Sequence, residues 1–323
     1  MNIPISVLLP VYKEPQSWIA QAIESILQQT FKKFELLLLV DHPRDKKLIT
    51  FLQTYQTDTR VKLIINKQNL GLPKNLNKGI DLSRGKYIAR MDADDIALPQ
   101  RLEKQYAFME KYLTIDLCGS QVMKIDVEGK TLQPSAHYSD PELLGKMVRY
   151  TNIITHPTWF IRKEVFTKVG KYRNFVNAED YDLVYRIINA KKQVTNLPET
   201  LMYWRIHLEG QTGGQSLIQK VCLKHIQQLN KERLKNGKDN FDEKKLQDLI
   251  QTLQLKYGPQ QQKAQLLLLL YFQNRTEGKY LPAIICLIRS FLASPIQRNY
   301  YLDLLKAKIV TGVYFFKKRI KLL

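Results

Sequence analysis

The sequence is poor in cysteine and has no long apolar run. Its 323 residues include only three cysteines, Cys118, Cys222 and Cys286, too few and too scattered for a disulfide framework or a CxxC metal site. The longest apolar stretch, residues 266–272, is far below the ~18–20 residues of a membrane-spanning helix. These absences argue against a disulfide-rich secreted scaffold and a spanning segment, and they favour a protein of the reducing cytosol.

The beginning of the chain lacks two further features. Residues 1–11 lead directly into an apolar run without a basic segment or a cleavage site, so we interpret them as the first strand of a domain rather than a signal peptide. Residues 10–15 contain no glycine, whereas a phosphate-binding loop of the common type is rich in it. Enzymes that depend on such a loop are therefore disfavoured.

Positive charge dominates, and it is unevenly distributed. The chain has 50 Lys and Arg against 30 Asp and Glu, a net charge of +20. Residues 1–214 hold 30 basic and 23 acidic side chains, whereas residues 215–323 hold 20 and 7. A basic C-terminal part behind a nearly balanced body predicts an anionic partner, either nucleic acid or an anionic membrane surface.

The first hundred residues alternate strand and helix patterns. Short apolar runs typical of buried parallel strands are separated by segments with apolar residues at helical spacing. The predicted strands are 5–9, 34–40, 61–65 and 87–91, and the predicted helices are 18–29, 48–55 and 76–82. This order predicts a doubly wound α/β sheet with ligands at the carboxyl ends of its strands. That edge would carry residues 10–13, 41–44, 66–71 and 92–95.

The pattern loosens after residue 100 and becomes entirely helical after about residue 215. A helix at 102–112, strands at 116–124 and 158–162 and a helix at 182–189 complete the first part. The later helices are predicted at 218–234, 246–257, 264–273, 281–292 and 302–320. Glycine and proline separate them, at Gly237, Gly258, Pro259, Gly278 and Pro295. We therefore predict two parts, a catalytic domain over 1–214 and a basic helical region over 215–323.

An acidic cluster follows the fourth predicted strand. Asp92, Asp94 and Asp95 lie within four residues, and their carboxylates repel one another. A solvated acidic turn is one interpretation. The other is a divalent-cation site, because Mg²⁺ and Mn²⁺ prefer carboxylate and phosphate oxygens, and a strand end gives such a site a rigid base.

Together with motifs on either side of it, the cluster resembles the family 2 glycosyltransferases and their nucleotide-sugar-binding A fold. The motifs occur in the family's order over residues 3–210. They are SVLLPVY at 6–12, Asp41, NLG at 69–71, NKG at 77–79, DADD at 92–95, HPT at 156–158, AEDYDL at 178–183 with Arg186, and YWRIH at 203–207. The resemblance implies a single Rossmann-like α/β domain with a mixed central sheet, followed by the helical region.

The resemblance also implies roles for individual residues. Asp180 falls where the family keeps its catalytic base. The main metal ligand that the resemblance implies is Asp94, joined by Asp92 and His207. The residues implied in nucleotide-sugar binding are Pro10, Val11, Tyr12, Asp41, Asn69, Asp92, Glu179 and His207.

The activity implied is transfer of a hexose from a nucleoside-diphosphate sugar to an acceptor hydroxyl, with inversion. A UDP-sugar is favoured as donor, and Mn²⁺ or Mg²⁺ as cofactor. A divalent ion stabilises the charge on the leaving diphosphate, and a carboxylate removes the acceptor proton. The implied acceptor is a lipid-linked saccharide in bacterial capsule, exopolysaccharide or lipopolysaccharide synthesis. This places the protein in the cytoplasm, peripheral on the inner face of the plasma membrane.

Simpler interpretations of several of these residues stay open. Glu179 and Asp180 have the residue types that cap a helix start, and His207 fits a polar loop residue. Tyr12 fits edge packing. We expect His156 to be structural or acceptor-lining rather than a metal ligand.

Two tryptophans and one departure from the family pattern bear on sugar and base recognition. Trp159 and Trp204 fit core positions better than sugar platforms. After Asp41 the family often has a second acid followed by small polar residues, whereas this chain has His42, Pro43 and Arg44. That departure puts the choice among uridine, guanosine and thymidine in doubt.

The basic C-terminal part has two interpretations. Residues 300–323 combine an apolar stripe with lysines and arginines, which suits a helix lying in a membrane interface. A solvated helical bundle is the other.

Two other function classes remain as alternatives. A nucleotidyltransferase-like enzyme would use the same acidic cluster. A nucleic-acid-binding protein would use the positive charge, but the first domain is nearly balanced and no recognised nucleic-acid-binding motif is evident, so we expect no nucleic-acid partner.

Overall fold

The computed structural model describes residues 3–207 and 217–320. Its contacts divide the chain into two units. The sheet unit comprises Met1–Gly145, Asn152–Asn174 and Leu183–His207, and the helical unit comprises Lys146–Thr151, Phe175–Asp182 and Leu208–Leu323. The boundary predicted between residues 214 and 215 lies outside the described residues, as do residues 321–323 of the basic tail. The functional division at that boundary stays a prediction.

A mixed sheet of nine strands forms the centre of the sheet unit. The strands are β1 (Ile5–Val11), β2 (Phe34–Val40), β3 (Val61–Ile65), β4 (Tyr87–Arg90), β5 (Ile96–Ala97), β6 (Ile115–Ile125), β7 (Thr131–Pro134), β8 (Phe160–Arg162) and β9 (Gln193–Arg205). Their order is β3-β2-β1-β4-β8-β6-β9-β5, with β7 paired to β6. The first four of these are parallel, while β8 runs antiparallel to both β4 and β6.

Helices cover the sheet because its central strands are apolar on both faces. They are α1 (Gln16–Leu27), α2 (Lys46–Gln53), α3 (Leu72–Leu82), α4 (Arg101–Lys111), α5 (Pro141–Met147), α6 (Val165–Val169) and α7 (Glu179–Asn189). All seven residues of β1 and of β2 are buried. Helix α1 contributes Ile19, Ala22, Ile23 and Ile26 to the same core. The predicted α/β architecture with a mixed sheet, followed by a helical region, is confirmed.

The longest strand, β9, was not predicted from the sequence. Pro198 lies inside it, and proline normally argues against an internal strand. The pairing with β6 shows how it is tolerated, because the register skips from Leu197 opposite Ser120 to Thr200 opposite Gln121. The bulge takes Pro198 out of the hydrogen-bonded ladder, and pairing resumes as far as Arg205.

The helical unit contains α8 (Leu217–Asn236), α9 (Glu243–Thr276), α10 (Tyr280–Ala293) and α11 (Pro295–Ile320). The two helices predicted at 246–257 and 264–273 are one, since α9 continues through Pro259. Proline removes one backbone donor from a helix. Packing of α9 against α8 and α10 holds the continuous helix. Here tertiary contact overrides a local breaker.

Within the described residues, no single helix combines the length and the apolar character that a membrane span requires. Helices α10 and α11 pass that test only as a pair, and they are bent by 114° at the break between them.

A buried glutamate fastens the amino-terminal edge of the sheet. Glu35 of β2 accepts hydrogen bonds from Ser6 Oγ at 2.6 Å, Arg84 N at 2.7 Å and Lys62 Nζ at 2.8 Å. Burial raises the pKa of Glu35, but the hydrogen bonds from Lys62, Ser6 and Arg84 outweigh it and hold the value at about 2, against an ordinary 4.5. This carboxylate therefore stabilises the fold only while it is ionised.

Replacing Glu35 with glutamine should lower the free energy of unfolding at pH 7 by roughly 1–3 kcal/mol, because Lys62 and Arg84 lose a charged partner. The depressed pKa means that the contribution is complete above about pH 4.5 and is lost as the pH falls towards 2. Urea titrations across this range measure the effect. Glu24→Gln, on the exposed side of α1, is the control. A gap between wild type and E35Q that does not change with pH would contradict the assignment.

Candidate functional site

Four strand ends define one edge of the sheet unit. Because β1, β2, β3 and β4 are parallel and adjacent, the residues that follow them meet at the same edge. Backbone hydrogen bonds continue beyond two strands, from Asp41 N to Val11 O at 2.9 Å and from Asn66 N to Val40 O at 3.0 Å. The structure therefore brings together the strand-end segments that the sequence predicts.

The acidic cluster lies at this edge in the loop after β4. Asp92, Asp94 and Asp95 each place a carboxylate oxygen within 4.8 Å of the others. The side chains of Asp92 and Asp94 are 30% and 22% exposed, whereas Asp95 is fully buried. Asp92 also forms an ion pair with Arg90. Two of the three carboxylates can therefore meet a ligand from solvent, and the third faces inward.

Crowding and burial perturb these carboxyl groups. Burial raises the pKa of Asp92, and the charge of Asp94 adds to it, while Arg90 acts in the opposite direction. Burial raises the pKa of Asp95 further, with added effects from Asp94 and Asp92. Among the described residues, Asp95 Oδ2 has no hydrogen-bond partner. Positive charge beside the cluster would therefore stabilise its ionised carboxylates.

A buried arginine supports the cluster from the core side. Arg101, the first residue of α4, donates to Arg90 O at 2.6 Å and to Gln105 Oε1 at 3.1 Å. Burial lowers the pKa of Arg101 to about 10. The helix predicted from the sequence begins at residue 102, so Arg101 lay outside it and was not recognised as a residue of the site.

A second arginine closes the cluster from the end of β9. Arg205 N donates to Asp95 Oδ1 at 2.9 Å, and Arg205 Nε donates to Asp94 O at 2.9 Å. Its guanidinium also donates to Gln21 Oε1 at 2.7 Å and lies 4.9 Å from the Trp18 ring centroid. These contacts hold both neighbouring aspartates in one arrangement.

His207, two residues beyond Arg205, reaches the cluster directly. Its Nε2 lies 2.9 Å from Asp94 Oδ2, and its ring lies against Trp18 with 5.1 Å between centroids. This contact satisfies the imidazole, so the simpler interpretation of His207 as a satisfied polar loop residue stays open. The structure therefore brings His207 and Asp94 together, while their roles towards a metal or a diphosphate stay a prediction.

Glu14 is a further acid that the sequence reasoning missed. Its carboxylate accepts from Tyr12 N at 2.8 Å. Burial raises the pKa of Glu14, and the charges of Asp94 and Asp92 raise it as well. The available signal was an acid three residues beyond Val11 at a ligand-binding strand end. A fourth carboxylate thus adds to the negative potential of the site.

Asp41 holds a loop instead of standing free. Its carboxylate accepts from Asn66 Nδ2 at 2.7 Å and from the backbone N–H groups of Leu70 and Gly71, each at 2.8 Å. Gly71 takes a φ of 77° at the start of α3, which favours glycine. Direct contact of Asp41 with a base or ribose stays a prediction. Its hydrogen bonds fix the 66–71 loop whether or not a nucleotide is bound.

The neighbouring predicted nucleotide contacts differ in accessibility. The side chains of Pro10 and Val11 are buried in β1, so a bound nucleoside could meet only their backbone. Tyr12 is 38% exposed, and its ring lies edge-on to His42 with 5.3 Å between centroids. Asn69 is exposed, and its Oδ1 accepts from Gly71 N at 3.0 Å.

The remaining predicted residues are two buried aromatic side chains and the two acids at the start of α7. His156 is buried, with Nε2 at 2.8 Å from the Tyr172 hydroxyl, and Trp159 is fully buried. Trp159 therefore lies in the core as predicted, while the choice between a structural and an acceptor-lining His156 stays a prediction. Glu179 and Asp180 open α7 within the helical unit. Glu179 is 2% exposed, whereas Asp180 is partly exposed and accepts from Tyr181 N at 2.7 Å.

The chain is similar in sequence to known glycosyltransferases. The family model for glycosyl transferase family 2 matches residues 6–170. An uncharacterized glycosyltransferase of Methanocaldococcus jannaschii is 36% identical over 205 residues, which cover 62% of this chain and 70% of the relative. The amylovoran biosynthesis glycosyltransferase AmsE of Erwinia amylovora is 33% identical over 198 residues, 61% of this chain and 74% of the relative.

The fold is similar to that of TarS of S. aureus. The structure of TarS residues 1–349 in complex with UDP-GlcNAc aligns with a TM-score of 0.58 and 16% identity, covering 97% of this chain and 92% of that chain. The chain spans 54% of a longer TarS chain. At this identity the likeness shows the fold alone.

Replacing Asp41 with asparagine should release the 66–71 loop, because an amide offers only one oxygen to the N–H groups that the carboxylate now accepts. We expect a loss of roughly 1–2 kcal/mol in the free energy of unfolding and faster amide hydrogen exchange at Leu70 and Gly71. Asp81→Asn, at the exposed end of α3, is the matched control. Unchanged exchange at both amides would contradict the assignment.

Proposed function

This chain belongs to glycosyl transferase family 2, and on that basis we propose that it transfers a hexose from a UDP-sugar to an acceptor hydroxyl, with inversion and with the help of Mn²⁺ or Mg²⁺. The observation that carries the proposal is the meeting of Asp92, Asp94 and His207 at the carboxyl edge of the sheet. Membership of a glycosyltransferase family weighs against a nucleotidyltransferase and against a nucleic-acid-binding protein.

The residues of the cluster fit a divalent cation. Carboxylate oxygens are the ligands that hard cations prefer, and three carboxylates lie within 4.8 Å of one another. Burial raises the pKa values of Asp92 and Asp95, and repulsion between the neighbouring carboxylates raises them as well. A bound cation would relieve that repulsion. Asp94 would be the main ligand, with Asp92 and His207 beside it. When bound, the ion would stabilise negative charge on the leaving diphosphate.

The donor would lie along the same edge. The Tyr12 ring and the backbone of Pro10 and Val11 offer a surface for the nucleoside. Asn69 and the loop held by Asp41 offer polar groups to its base and ribose. The structure of TarS with UDP-GlcNAc supports a uridine donor by analogy of fold alone. Glu179 is buried, so we assign it to positioning the start of α7 rather than to direct contact with the sugar.

Asp180 would be the general base. The acceptor hydroxyl is a weak nucleophile, and a carboxylate that takes its proton contributes about 10²–10⁴-fold. The acceptor oxygen then forms its bond to the anomeric carbon as the bond from that carbon to the phosphate oxygen breaks. The electron pair of the broken bond leaves with the nucleoside diphosphate. One such displacement inverts the anomeric centre.

The acceptor would be a lipid-linked saccharide in bacterial surface-polysaccharide synthesis. The sequence relative AmsE is named for amylovoran biosynthesis, and a lipid-linked acceptor would be used at the inner face of the plasma membrane. The basic helical unit agrees with that location, because an anionic leaflet attracts lysine and arginine.

Removing the Asp94 carboxylate should abolish metal-dependent turnover. Asp94→Ala is expected to lower the release of nucleoside diphosphate from a UDP-sugar by at least about 10²-fold, because the leaving group loses its metal-held stabilisation. Assays with Mn²⁺ and with EDTA measure this loss across UDP-, GDP- and dTDP-sugars. Asp81→Ala is the control. Turnover by D94A at the wild-type rate, or turnover by wild type that EDTA does not reduce, would contradict the metal assignment.

Neutralising Asp180 should separate binding from transfer. Asp180→Asn keeps the shape of the side chain, so UDP with Mn²⁺ should still raise the melting temperature as in wild type. Transfer should fall by about 10²–10⁴-fold. Asp248→Asn, on an exposed part of α9, controls for a change of charge in the helical unit. Loss of nucleotide binding in D180N would show a structural role instead.

A further inference from the structure

Helix α10 carries its large apolar side chains on the outside. Leu281, Ile284, Ile285, Ile288 and Leu292 are between 43% and 70% exposed. They recur every three or four residues, so they form one continuous stripe along the helix. A helix of a water-soluble domain turns such a stripe towards the core. Here the stripe faces away from it.

The opposite side of α10, which packs against the unit, is small and polar. Ala283 and Ser290 are 2% and 0% exposed. Ser290 Oγ donates to Ala264 O of α9 at 2.7 Å. The polarity of this helix is therefore inverted relative to a helix in water.

Helix α11 repeats the arrangement. Its apolar stripe is formed by Leu302, Leu305, Ile309, Val313 and Phe316, which are 39% to 66% exposed, and Phe315 is exposed as well. On the buried side lie Asp303 and Ala307. Two consecutive helices thus present apolar stripes outward, and Leu266, Leu269 and Leu270 of α9 are exposed as well. We call the outward side chains of α10 and α11 the apolar surface.

Polar side chains fill the interior behind the apolar surface. Gln261 Nε2 donates to Gln297 Oε1 at 2.9 Å, and Ser294 Oγ donates to Gln261 Oε1 at 2.9 Å. Lys220 of α8 donates to the same Gln297 oxygen. Small residues and hydrogen-bonded polar groups between helices, with aliphatic side chains outside, are the pattern of helices in lipid.

Charge distinguishes a lipid surface from a second copy of the chain. Between residues 279 and 318 there is one acid, Asp303, and it is buried. The basic residues in that range are Lys279, Arg289, Arg298, Lys306, Lys308, Lys317 and Lys318. A second copy would bring the same positive charge against itself. An anionic bilayer takes up the apolar stripes and attracts the basic residues beside them.

We propose that the apolar surface of α10 and α11 lies within the interface of an anionic lipid bilayer, without crossing it. The 114° bend between the two helices suits two segments that enter one leaflet. Binding of this kind would bring the enzyme to a lipid-linked acceptor, and this benefit rests on the proposed function. The binding to the bilayer does not depend on that function.

The first test removes apolar side chains from α10. Ile284→Gln with Ile288→Gln should lower the partition of the full chain onto phosphatidylcholine–phosphatidylglycerol vesicles by about tenfold or more for each side chain, measured by flotation. Leu113→Gln with Leu132→Gln, at side chains 71% and 54% exposed in the sheet unit, makes the same chemical change elsewhere. This control pair should float like wild type.

The second test removes charge from either side of the α11 stripe. Lys308→Gln with Lys317→Gln should weaken binding to vesicles containing phosphatidylglycerol by about fivefold for each lysine. Binding to pure phosphatidylcholine should change little. Lys32→Gln with Lys33→Gln, two exposed lysines of the sheet unit, is the matched control.

Flotation that is equal for wild type and the α10 variant would overturn the proposal. A second result would also overturn it: light scattering shows that wild type is an oligomer, and the α10 substitutions dissociate that oligomer without changing flotation. The apolar surface would then be the contact with a second copy of the chain. Flotation needs no donor, so it is independent of the transferase reaction. A chain that binds vesicles but transfers no sugar contradicts the proposed function alone, whereas a chain that transfers sugar but never floats contradicts this inference alone.

Discussion

The crowding of negative charge after β4 is the constraint on which the candidate site depends. Asp92, Asp94 and Asp95 occupy one loop, and their repulsion would drive that loop apart if nothing opposed it. Three buried arginines oppose it from different directions, and one of them, Arg90, forms an ion pair with Asp92. Arg101 binds the backbone at the base of the loop, and Arg205 binds Asp95 and the carbonyl of Asp94. The carboxylates are thus held close together in advance, which is the state that a divalent cation needs.

The connection of β9 back into the sheet completes this arrangement. β9 pairs with β6 and β5, and its end delivers Arg205 and then His207 to a loop more than a hundred residues earlier. The bulge at Pro198 lets the strand continue far enough to do so. A shorter β9 would leave Asp94 without its histidine and Asp95 without its backbone donor, so the length of one strand decides whether the two halves of the site meet.

Helices α10 and α11 differ from the sheet unit in which side chains they expose to their surroundings. In the sheet unit, most Ile and Leu are buried and most charged side chains are at least partly exposed, as expected in water. In α10 and α11, most Ile and Leu face outward, while Ser290, Gln297 and the intervening Ser294 are fully buried. The excess positive charge of the chain also lies mostly in its C-terminal third. Both features follow from one cause if the outer face of this unit meets lipid.

The sequence by itself determined the parallel half of the sheet and the segments at its ligand edge. Apolar runs separated by helical spacing are local signals, and they predict β1 to β4 and the acidic loop to within a few residues. The family resemblance also selected His207, for which the residues alone favoured no role. Only the tertiary structure decided which partners those residues have.

Arg101 carries no distinctive local pattern, and the motif that contains Arg205 does not show that its side chain meets Asp94 and Asp95. Asp41 contacts a loop 25 to 30 residues away. The path of α9 through Pro259 and the outward stripe of α10 were equally hidden from the sequence. A hydrophobic periodicity shows that a helix has an apolar face. It does not show whether that face turns towards a core or away from it, because only packing against the neighbouring helices assigns the direction.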